Sequence, residues 1–289
     1  MRIALLADIH GNLEAFRACL EHARARGAEQ LVLLGDLVGY GAGVGAVLDI
    51  AMEEVGRGAI ALLGNHDEAA ITTGSQGMND MAAAAIAWTR ARLTPAQRDF
   101  IAGLPLTSEE QGRLYVHAEA SAPARWRYVT DADAARRSME AVHAHATFCG
   151  HVHKPALYSL GDTGKLVGFR PVAGAPVPLA RGRHWLAVLG AVGQPRDGDP
   201  AACYMMLDTG AQLQASWMRV PYDVTSAAAK IRAAGLPAGL AERLFVVLGP
   251  AAARGAPFVD GGQRPTNSRS ASPAGRPAAR ILAAALVTS

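Results

Sequence analysis

Short apolar runs alternate with helical patterns in the N-terminal part of the chain. The runs at 2–7, 31–34 and 59–63 are almost uninterrupted, which is typical of strands buried on both faces. Between them, the segments 13–26 and 46–55 carry apolar residues at helical spacing. This β-α-β-α-β order predicts a parallel sheet with right-handed crossovers, whose functional loops follow the carboxyl ends of the strands.

From about residue 114 the sequence changes to strand-like runs separated by turn residues. Turns of the hairpin type are expected at Gly161-Asp162 and at Asp208-Thr209-Gly210, so a second, more antiparallel sheet is predicted here. The expected strands cover 114–117, 147–149, 157–160, 165–169, 185–189, 202–207 and 212–220. Further helices are expected at 78–92, 95–102, 224–234 and 238–247.

The composition is that of a globular protein, with 50% hydrophobic and 18% charged residues among 289. The three cysteines, Cys19, Cys149 and Cys203, lie far apart without a CxxC pair, which favours reduced, buried thiols and a cytoplasmic location. The first apolar run meets Asp8 too early for a signal peptide. No uncharged apolar stretch reaches the roughly 18 residues of a membrane span, so no membrane partner is expected.

The chain after Pro250 is rich in Ala, Gly, Pro, Ser and Arg. We therefore expect a folded domain over 1–250 and a disordered tail over 251–289. The net charge of +3 comes from this tail, which contains five arginines and only one acidic residue, Asp260. These arginines are spread out without interleaved aromatic residues, so sequence-specific nucleic-acid binding is not expected.

Polar clusters follow several of the predicted strands, at the edge where open α/β sheets bind ligands. Carboxylates combined with imidazoles suit divalent cations such as Mn²⁺, Fe²⁺ or Zn²⁺, and the lack of thiolates argues against a structural zinc site. A single Gly-Asp pair is ordinary turn chemistry, but five such clusters in order indicate a metal centre. The clusters are Asp8-Ile9-His10, Gly35-Asp36, Gly64-Asn65-His66-Asp67, His117 and Gly150-His151-Val152-His153.

In this order the clusters resemble the signature of the calcineurin-like metallophosphoesterases, which reads DxH, GDxx, GNHD, a single His and GHxH. The resemblance covers roughly residues 1–250, and LGDLVGYG at 34–41 and GQPRDGDP at 193–200 are similar to the small bacterial phosphodiesterase-like branch. It implies an α/β fold of two mixed β-sheets packed as a sandwich and flanked by helices in four layers. The implied activity is hydrolysis of a phosphate ester, foremost a diester of a small or nucleotide-like substrate, by a homo-oligomeric enzyme.

The resemblance also implies two divalent cations, Mn²⁺ foremost, with Fe, Zn or Ni as alternatives. They are expected roughly 3.5–4 Å apart, with a hydroxide between them that attacks phosphorus in line. Asp36 would bridge the two cations. The first would be held by Asp8, His10, Asp36 and His153, and the second by Asp36, Asn65, His117 and His151.

Three further residues are candidates for catalysis. His66 resembles the histidine of the family that donates a proton or hydrogen bond to the leaving oxygen, with a purely orienting hydrogen bond as the alternative. Asp67 is expected to orient its neighbours rather than to react. Arg196 is the candidate for gripping the substrate phosphate, and a structural salt bridge with Asp197 or Asp199 is the alternative.

Two departures from related patterns bear on the substrate. Gly39 and Tyr40 stand where the protein serine/threonine phosphatases have Asp-Arg, which argues against a phosphoprotein phosphatase; Tyr40 either lines the pocket or packs in the core. Residues 189–192 read LGAV where the branch usually has Asn-Pro-Gly-Ser, so a pocket wall or a loop hydrogen bond is expected to differ.

Two classes of alternative function remain at this point. A phosphomonoesterase and a dinucleoside polyphosphate hydrolase would use the same metal ligands, because specificity lies in the loops. A metal-binding scaffold without turnover is the alternative outside the enzymes. The presence of every ligand together with His66 argues against that scaffold, which has no need of them.

Overall fold

The computed structural model describes residues 1–73 and 78–245. The predicted tail at 251–289 and the last residues of the helix predicted at 238–247 lie outside the described residues. The division into a domain and a disordered tail therefore stays a prediction. Across the described ranges, no helix has the length and apolar character needed to cross a membrane.

Twelve strands and eight α-helices occur in the described part of the chain. The strands are β1 Arg2–Leu6, β2 Gln30–Leu33, β3 Ile60–Ala61, β4 Thr107–Glu110, β5 Arg113–Val116, β6 Ala146–Cys149, β7 Ala156–Gly161, β8 Leu166–Phe169, β9 Val177–Pro178, β10 Arg183–Val188, β11 Ala202–Asp208 and β12 Gln214–Val220. The helices are α1 Leu13–Ala25, α2 Val44–Gly56, α3 Asn65–Ile71, α4 Asp80–Arg90, α5 Pro95–Ala102, α6 Ala132–Glu140, α7 Val224–Ala233 and α8 Ala238–Glu242.

The strands form two mixed six-stranded sheets that pack face to face. The order in the first sheet is β3-β2-β1-β11-β12-β9, and in the second it is β4-β5-β6-β10-β7-β8. Between the sheets lies one apolar cluster, in which Ile3 and Leu5 of β1 meet Phe148 of β6. The alternate residues Ala4 and Leu6 face away from that cluster, into the core that α1 and α2 cover. The predicted sandwich flanked by helices is thereby confirmed.

The helix boundaries follow from capping side chains. The side chain of Asn12 accepts a hydrogen bond from the backbone N–H of Ala15 and so starts α1, as predicted. Thr94 and Gln97 form a reciprocal capping box at the start of α5, where Pro95 occupies the first helical position. These signals explain why α5 begins at the predicted residue.

One prediction about the sheets is wrong. Strands β11 and β12 do not join the second sheet, because β11 pairs antiparallel with β1 and continues the first sheet. The hairpin between β11 and β12 is present, yet its turn residues carry no information about the third strand that joins it. Trp185 and Trp217 are buried core aromatics, and all three cysteines are buried and unpaired, as the sequence predicts.

Candidate metal centre

The polar clusters converge where β1, β2 and β3 of one sheet and β5 and β6 of the other sheet end. The backbone turns sharply here, and six of the eight non-glycine residues with positive φ in the described ranges belong to this region. Left-handed backbone in residues other than glycine is uncommon and concentrates at functional sites. The six residues are Asp8, His10, Asp36, Tyr40, His151 and His153.

Two glycines permit close approach to the carboxylates of the site. A Cβ atom at Gly64 would lie 2.2 Å from the backbone nitrogen of Asp36 and 2.3 Å from its Oδ1. At Gly150 it would lie 2.7 Å from Oδ2 of Asp8. Glycine is therefore required at both positions for the carboxylates to reach their places.

The first half of the site contains Asp8, His10 and His153, all buried. The Nε2 atoms of the two histidines lie 3.1 Å apart, and Oδ1 of Asp8 lies 3.5 Å from Nε2 of His153. Each Nδ1 lies next to a backbone carbonyl, Val38 O at 3.1 Å and Gln194 O at 2.7 Å. A carbonyl only accepts, so both Nδ1 atoms carry the hydrogen and both Nε2 lone pairs point into the site.

The two facing nitrogens fit a cation. Burial lowers the pKa of His10 and of His153 well below the usual value, so both rings are neutral. Two neutral rings with their Nδ1 hydrogens already donated place no proton between the Nε2 atoms. Lone pairs 3.1 Å apart repel unless a positive ion lies against them, and imidazole nitrogens beside a carboxylate suit a borderline divalent metal.

The second half contains His117, His151 and Asn65. Nε2 of His117 lies 3.2 Å from Nδ1 of His151 and 3.2 Å from Oδ1 of Asn65. The outer nitrogens again donate to backbone carbonyls, Leu34 O at 2.7 Å and Trp126 O at 2.9 Å. Burial and His117 lower the pKa of His151 to about 3. The inner nitrogens and the amide oxygen therefore present three neighbouring ligand atoms.

Asp36 lies between the two halves. Its Oδ2 atom is 3.5 Å from Nε2 of His10 and 3.5 Å from Nε2 of His117. Its Oδ1 atom accepts a hydrogen bond of 2.8 Å from the backbone N–H of His66. Burial raises the pKa of Asp36, but the neighbouring His117 outweighs burial and holds it well below the usual value. An ionised carboxylate thus faces both groups of histidines.

His66 packs edge-on against two rings at the border of the site. Its ring centroid lies 4.7 Å from that of His10 and 4.6 Å from that of Tyr40. Its Nδ1 atom is buried and has no hydrogen-bond partner among the residues that the structure describes. Burial lowers the pKa of His66, so the ring is neutral near pH 7 and carries one N–H.

Asp67 is fully buried and is occupied by backbone groups. Its Oδ1 accepts from the N–H of Val38 at 3.1 Å, and its Oδ2 accepts from the N–H of Gly64 at 3.0 Å. These bonds tie the loop after β2 to the loop after β3. The arrangement supports the predicted role of an orienting residue.

Arg196 lies beside the first half of the site, in the loop after β10. Its Nη2 donates to the hydroxyl of Tyr40 at 3.2 Å. The predicted alternative, a salt bridge with Asp197 or Asp199, is not what the structure shows, because both acids pair with Arg219. Tyr40 is buried and packs against His10, with 4.4 Å between ring centroids and 45° between ring planes, so it both packs in the core and lines the site.

The sequence interpretation missed the contribution of the segment around Trp126. Trp126 lies half-buried beside the site, and its carbonyl fixes the ring of His151. Tyr128 stacks on that same ring.

The LGAV stretch at 189–192 is buried and is followed by Gly193, whose N–H donates to Asp8 O at 2.8 Å.

Binding of a divalent cation is expected to strengthen as pH rises towards 9. Burial lowers the pKa of His117, but Asp36 outweighs burial and raises it to about 9, while burial raises the pKa of Asp8 to about 7. Below these values each group holds a proton that a cation must displace. The Mn²⁺ affinity should rise by up to about tenfold per pH unit for each displaced proton and level off above about pH 9. Calorimetric titration of metal-stripped protein would measure it, and an affinity independent of pH would contradict the ligand set.

A family model described as calcineurin-like phosphoesterase superfamily domain matches residues 1–212. An uncharacterized protein of Methanocaldococcus jannaschii is 32% identical over 249 residues, which cover 84% of this chain and 97% of that protein.

Two solved structures have a fold similar to that of this chain. The crystal structure of a metallophosphoesterase from Sphaerobacter thermophilus is 31% identical with a TM-score of 0.74, covering 84% of this chain and 98% of that chain. A protein from Pyrococcus horikoshii OT3 is 18% identical with a TM-score of 0.68, covering 85% and 98%, and shows a similar fold. The sequence signature, the double sheet and the family match agree: the chain belongs to the calcineurin-like phosphoesterase superfamily.

Proposed function

We propose that this chain is a metal-dependent phosphodiesterase acting on a small or nucleotide-like substrate. One observation carries the proposal: Oδ2 of Asp36 lies 3.5 Å from a histidine nitrogen in each half of the site. A carboxylate placed between two sets of inward-facing ligand atoms suits a pair of cations. The family match supports hydrolysis of phosphoric esters as the reaction class.

The residues present fit two divalent cations, with Mn²⁺ as the first candidate and Fe, Zn or Ni as alternatives. When bound, such cations supply Lewis acidity, which lowers the pKa of water and neutralises charge on phosphoryl oxygens. Asp36 would be shared by both. The first would be held by Asp8, His10 and His153, and the second by Asn65, His117 and His151.

Arg196 binds the substrate phosphate in this proposal. Its guanidinium is half-buried and free of acidic partners within the described residues, so it can donate to a phosphate oxygen. The Tyr40 hydroxyl accepts from it, and the Tyr40 ring packs on His10 and His66. Tyr40 therefore positions the guanidinium relative to both histidines.

His66 holds a proton at the leaving oxygen. The ring is neutral near pH 7, since burial lowers its pKa, and a neutral imidazole donates an N–H to an oxygen that gains negative charge. Within the described residues, the carboxylate of Asp67 makes its hydrogen bonds to backbone groups and not to the ring of His66. It keeps the loops in place through its bonds to Val38 and Gly64.

A diester is favoured over a monoester on electrostatic grounds. Tyr40 stands where the protein phosphatases of the family carry an Arg, so this chain offers one guanidinium fewer to the phosphate. A diester carries one negative charge and a monoester near pH 7 carries about two, so the diester needs less positive charge. A phosphomonoesterase and a dinucleoside polyphosphate hydrolase remain the alternatives.

The substrate class can be tested with two chromogenic esters. Metal-stripped protein with Mn²⁺ restored is expected to hydrolyse bis-p-nitrophenyl phosphate with a higher kcat/KM than p-nitrophenyl phosphate. Chelation should remove both activities. A preference for the monoester would contradict the diesterase proposal and favour a phosphomonoesterase. Binding of Mn²⁺ without turnover of either ester would favour the scaffold.

Three further predictions from the sequence accompany this proposal. They are the cytoplasmic location, consistent with three unpaired cysteines, the homo-oligomeric state and the lack of sequence-specific nucleic-acid binding. Comparing the affinity for nucleic acid with and without residues 251–289 would show whether the arginines of the tail bind it.

A further inference from the structure

An exposed aromatic ring lies against the second half of the metal centre. The ring of Tyr128 stacks on the ring of His151, with 4.1 Å between centroids and 11° between planes. The side chain is nevertheless 50% exposed. One face thus covers a candidate metal ligand while much of the ring remains in contact with solvent. A tyrosine needed only to shield His151 would gain more by burying its outer face in protein.

Contacts of Trp126 and of Arg127 hold the segment that carries this ring in place. Trp126 accepts from His151 through its carbonyl and donates from Nε1 to Oε2 of Glu68 at 2.8 Å. The carbonyl of Arg127 accepts from the N–H of Glu119 at 3.1 Å, and its guanidinium lies 3.7 Å from the buried Glu119 carboxylate. The ring of Tyr128 is thereby ordered before any ligand arrives, which lowers the entropic cost of stacking on it.

The surroundings of the ring suit an anionic ligand with a planar part. Arg125 and Arg127 on the same segment are exposed. Arg196 lies on the opposite flank of the site, beside His10 and Tyr40. A phosphate at the metal centre would therefore have a guanidinium on one side and an open aromatic face on the other. Stacking on an aromatic side chain tolerates any base, because every base has a π-face.

We propose that the exposed face of Tyr128 binds a planar aromatic group of the substrate, next to the phosphate held at the metal centre. This inference rests on the proposed function. It narrows the substrate to phosphodiesters that carry a nucleobase or an aryl group on the ester oxygen that does not leave.

The test uses three diesters that release the same p-nitrophenolate: the p-nitrophenyl esters of thymidine 5′-phosphate, phenyl phosphate and methyl phosphate. The readout is kcat/KM for each aromatic ester divided by kcat/KM for the methyl ester, with Mn²⁺ present. In Tyr128→Leu this ratio should fall by about 5- to 100-fold, the loss expected for one stacked base. In Tyr128→Phe the ratio should stay close to that of the original protein, because the ring is kept. Metal content is measured for every variant, since His151 lies under the ring.

The outcomes separate the two sources of an aromatic group. A fall of the thymidine ratio assigns the face to nucleotides, and a fall of the phenyl ratio alone assigns it to small aryl esters. An unchanged ratio in Tyr128→Leu, or an equal loss on all three esters, would overturn the proposal and leave Tyr128 as a support for His151.

Failure of the proposed function would look different, because the original protein would then hydrolyse none of the three esters. In that case, calorimetry on Mn²⁺-loaded protein decides about the stacking face. The original protein should bind thymidine 5′-phosphate at least about fivefold more tightly than methyl phosphate, and Tyr128→Leu should lose that preference. Equal affinities in the original protein would overturn the inference.

Discussion

Asp36→Asn is expected to lower kcat for bis-p-nitrophenyl phosphate by about 10³-fold or more, a loss of several kcal/mol of metal-derived stabilisation. The amide has the shape of the carboxylate, and its oxygen can still accept from the N–H of His66. Its NH₂ group then takes the place of Oδ2, 3.5 Å from Nε2 of His10 and of His117. It donates hydrogen bonds where a shared anionic ligand stood, so fewer than two cations per chain should remain bound.

The matched control for this variant is Asp99→Asn on α5. It makes the same chemical change at an exposed position and should keep full activity and metal content. Elemental analysis after dialysis and the rate of p-nitrophenolate release give the two readouts, and thermal unfolding shows that both variants fold. Two tightly bound cations with undiminished turnover in Asp36→Asn would contradict the shared position of this carboxylate.

His66→Ala is expected to slow hydrolysis by an amount that depends on the leaving group. Diphenyl phosphate expels a basic phenolate, so the loss of the donated N–H should lower kcat by about 10²- to 10⁴-fold. Bis-p-nitrophenyl phosphate expels a weakly basic phenolate that needs little help from a proton, and the loss should be about tenfold or less. The difference follows from a proton held at the leaving oxygen by the buried, neutral ring of His66.

Two further measurements make the result on His66 specific. Imidazole added to the buffer should restore part of the activity of His66→Ala on diphenyl phosphate. His143→Ala, which removes an exposed imidazole away from the site, should change neither rate. Equal losses on both esters without rescue would instead mean that His66 acts only by packing against His10 and Tyr40.

The parts of the fold that could be predicted are those with a local signal. The apolar runs of β1 and β2 and the cap of Thr94 and Pro95 on α5 specify their own elements. Helix α6 is not among the predicted helices, although Asp131 caps it and Ala134, Ala135 and Met139 lie on its buried face; its sequence ADAARRSME has only one large apolar residue, Met139, to mark that face. The place of β11 beside β1 depends on contacts between residues about 200 positions apart, which turn chemistry does not encode.

The site shows the same division between local and distant information. Parallel strands that end at one edge bring their polar clusters together, so the convergence of Asp8, Asp36 and Asn65 after β1, β2 and β3 could be expected. The carbonyl of Trp126 that fixes His151 could not, because every residue has a carbonyl and its direction depends on the fold. Likewise, the pairing of Asp197 with Arg219, which frees Arg196, joins β12 to the loop after β10.

The most direct test of the central claim is the rate of bis-p-nitrophenyl phosphate hydrolysis as Mn²⁺ is added stepwise to metal-stripped protein. The ligand set around Asp36 predicts no turnover without metal, a rise with added Mn²⁺, and saturation at two equivalents per chain. Turnover that survives complete removal of metal, or saturation at a single equivalent, would contradict a site that works with two cations.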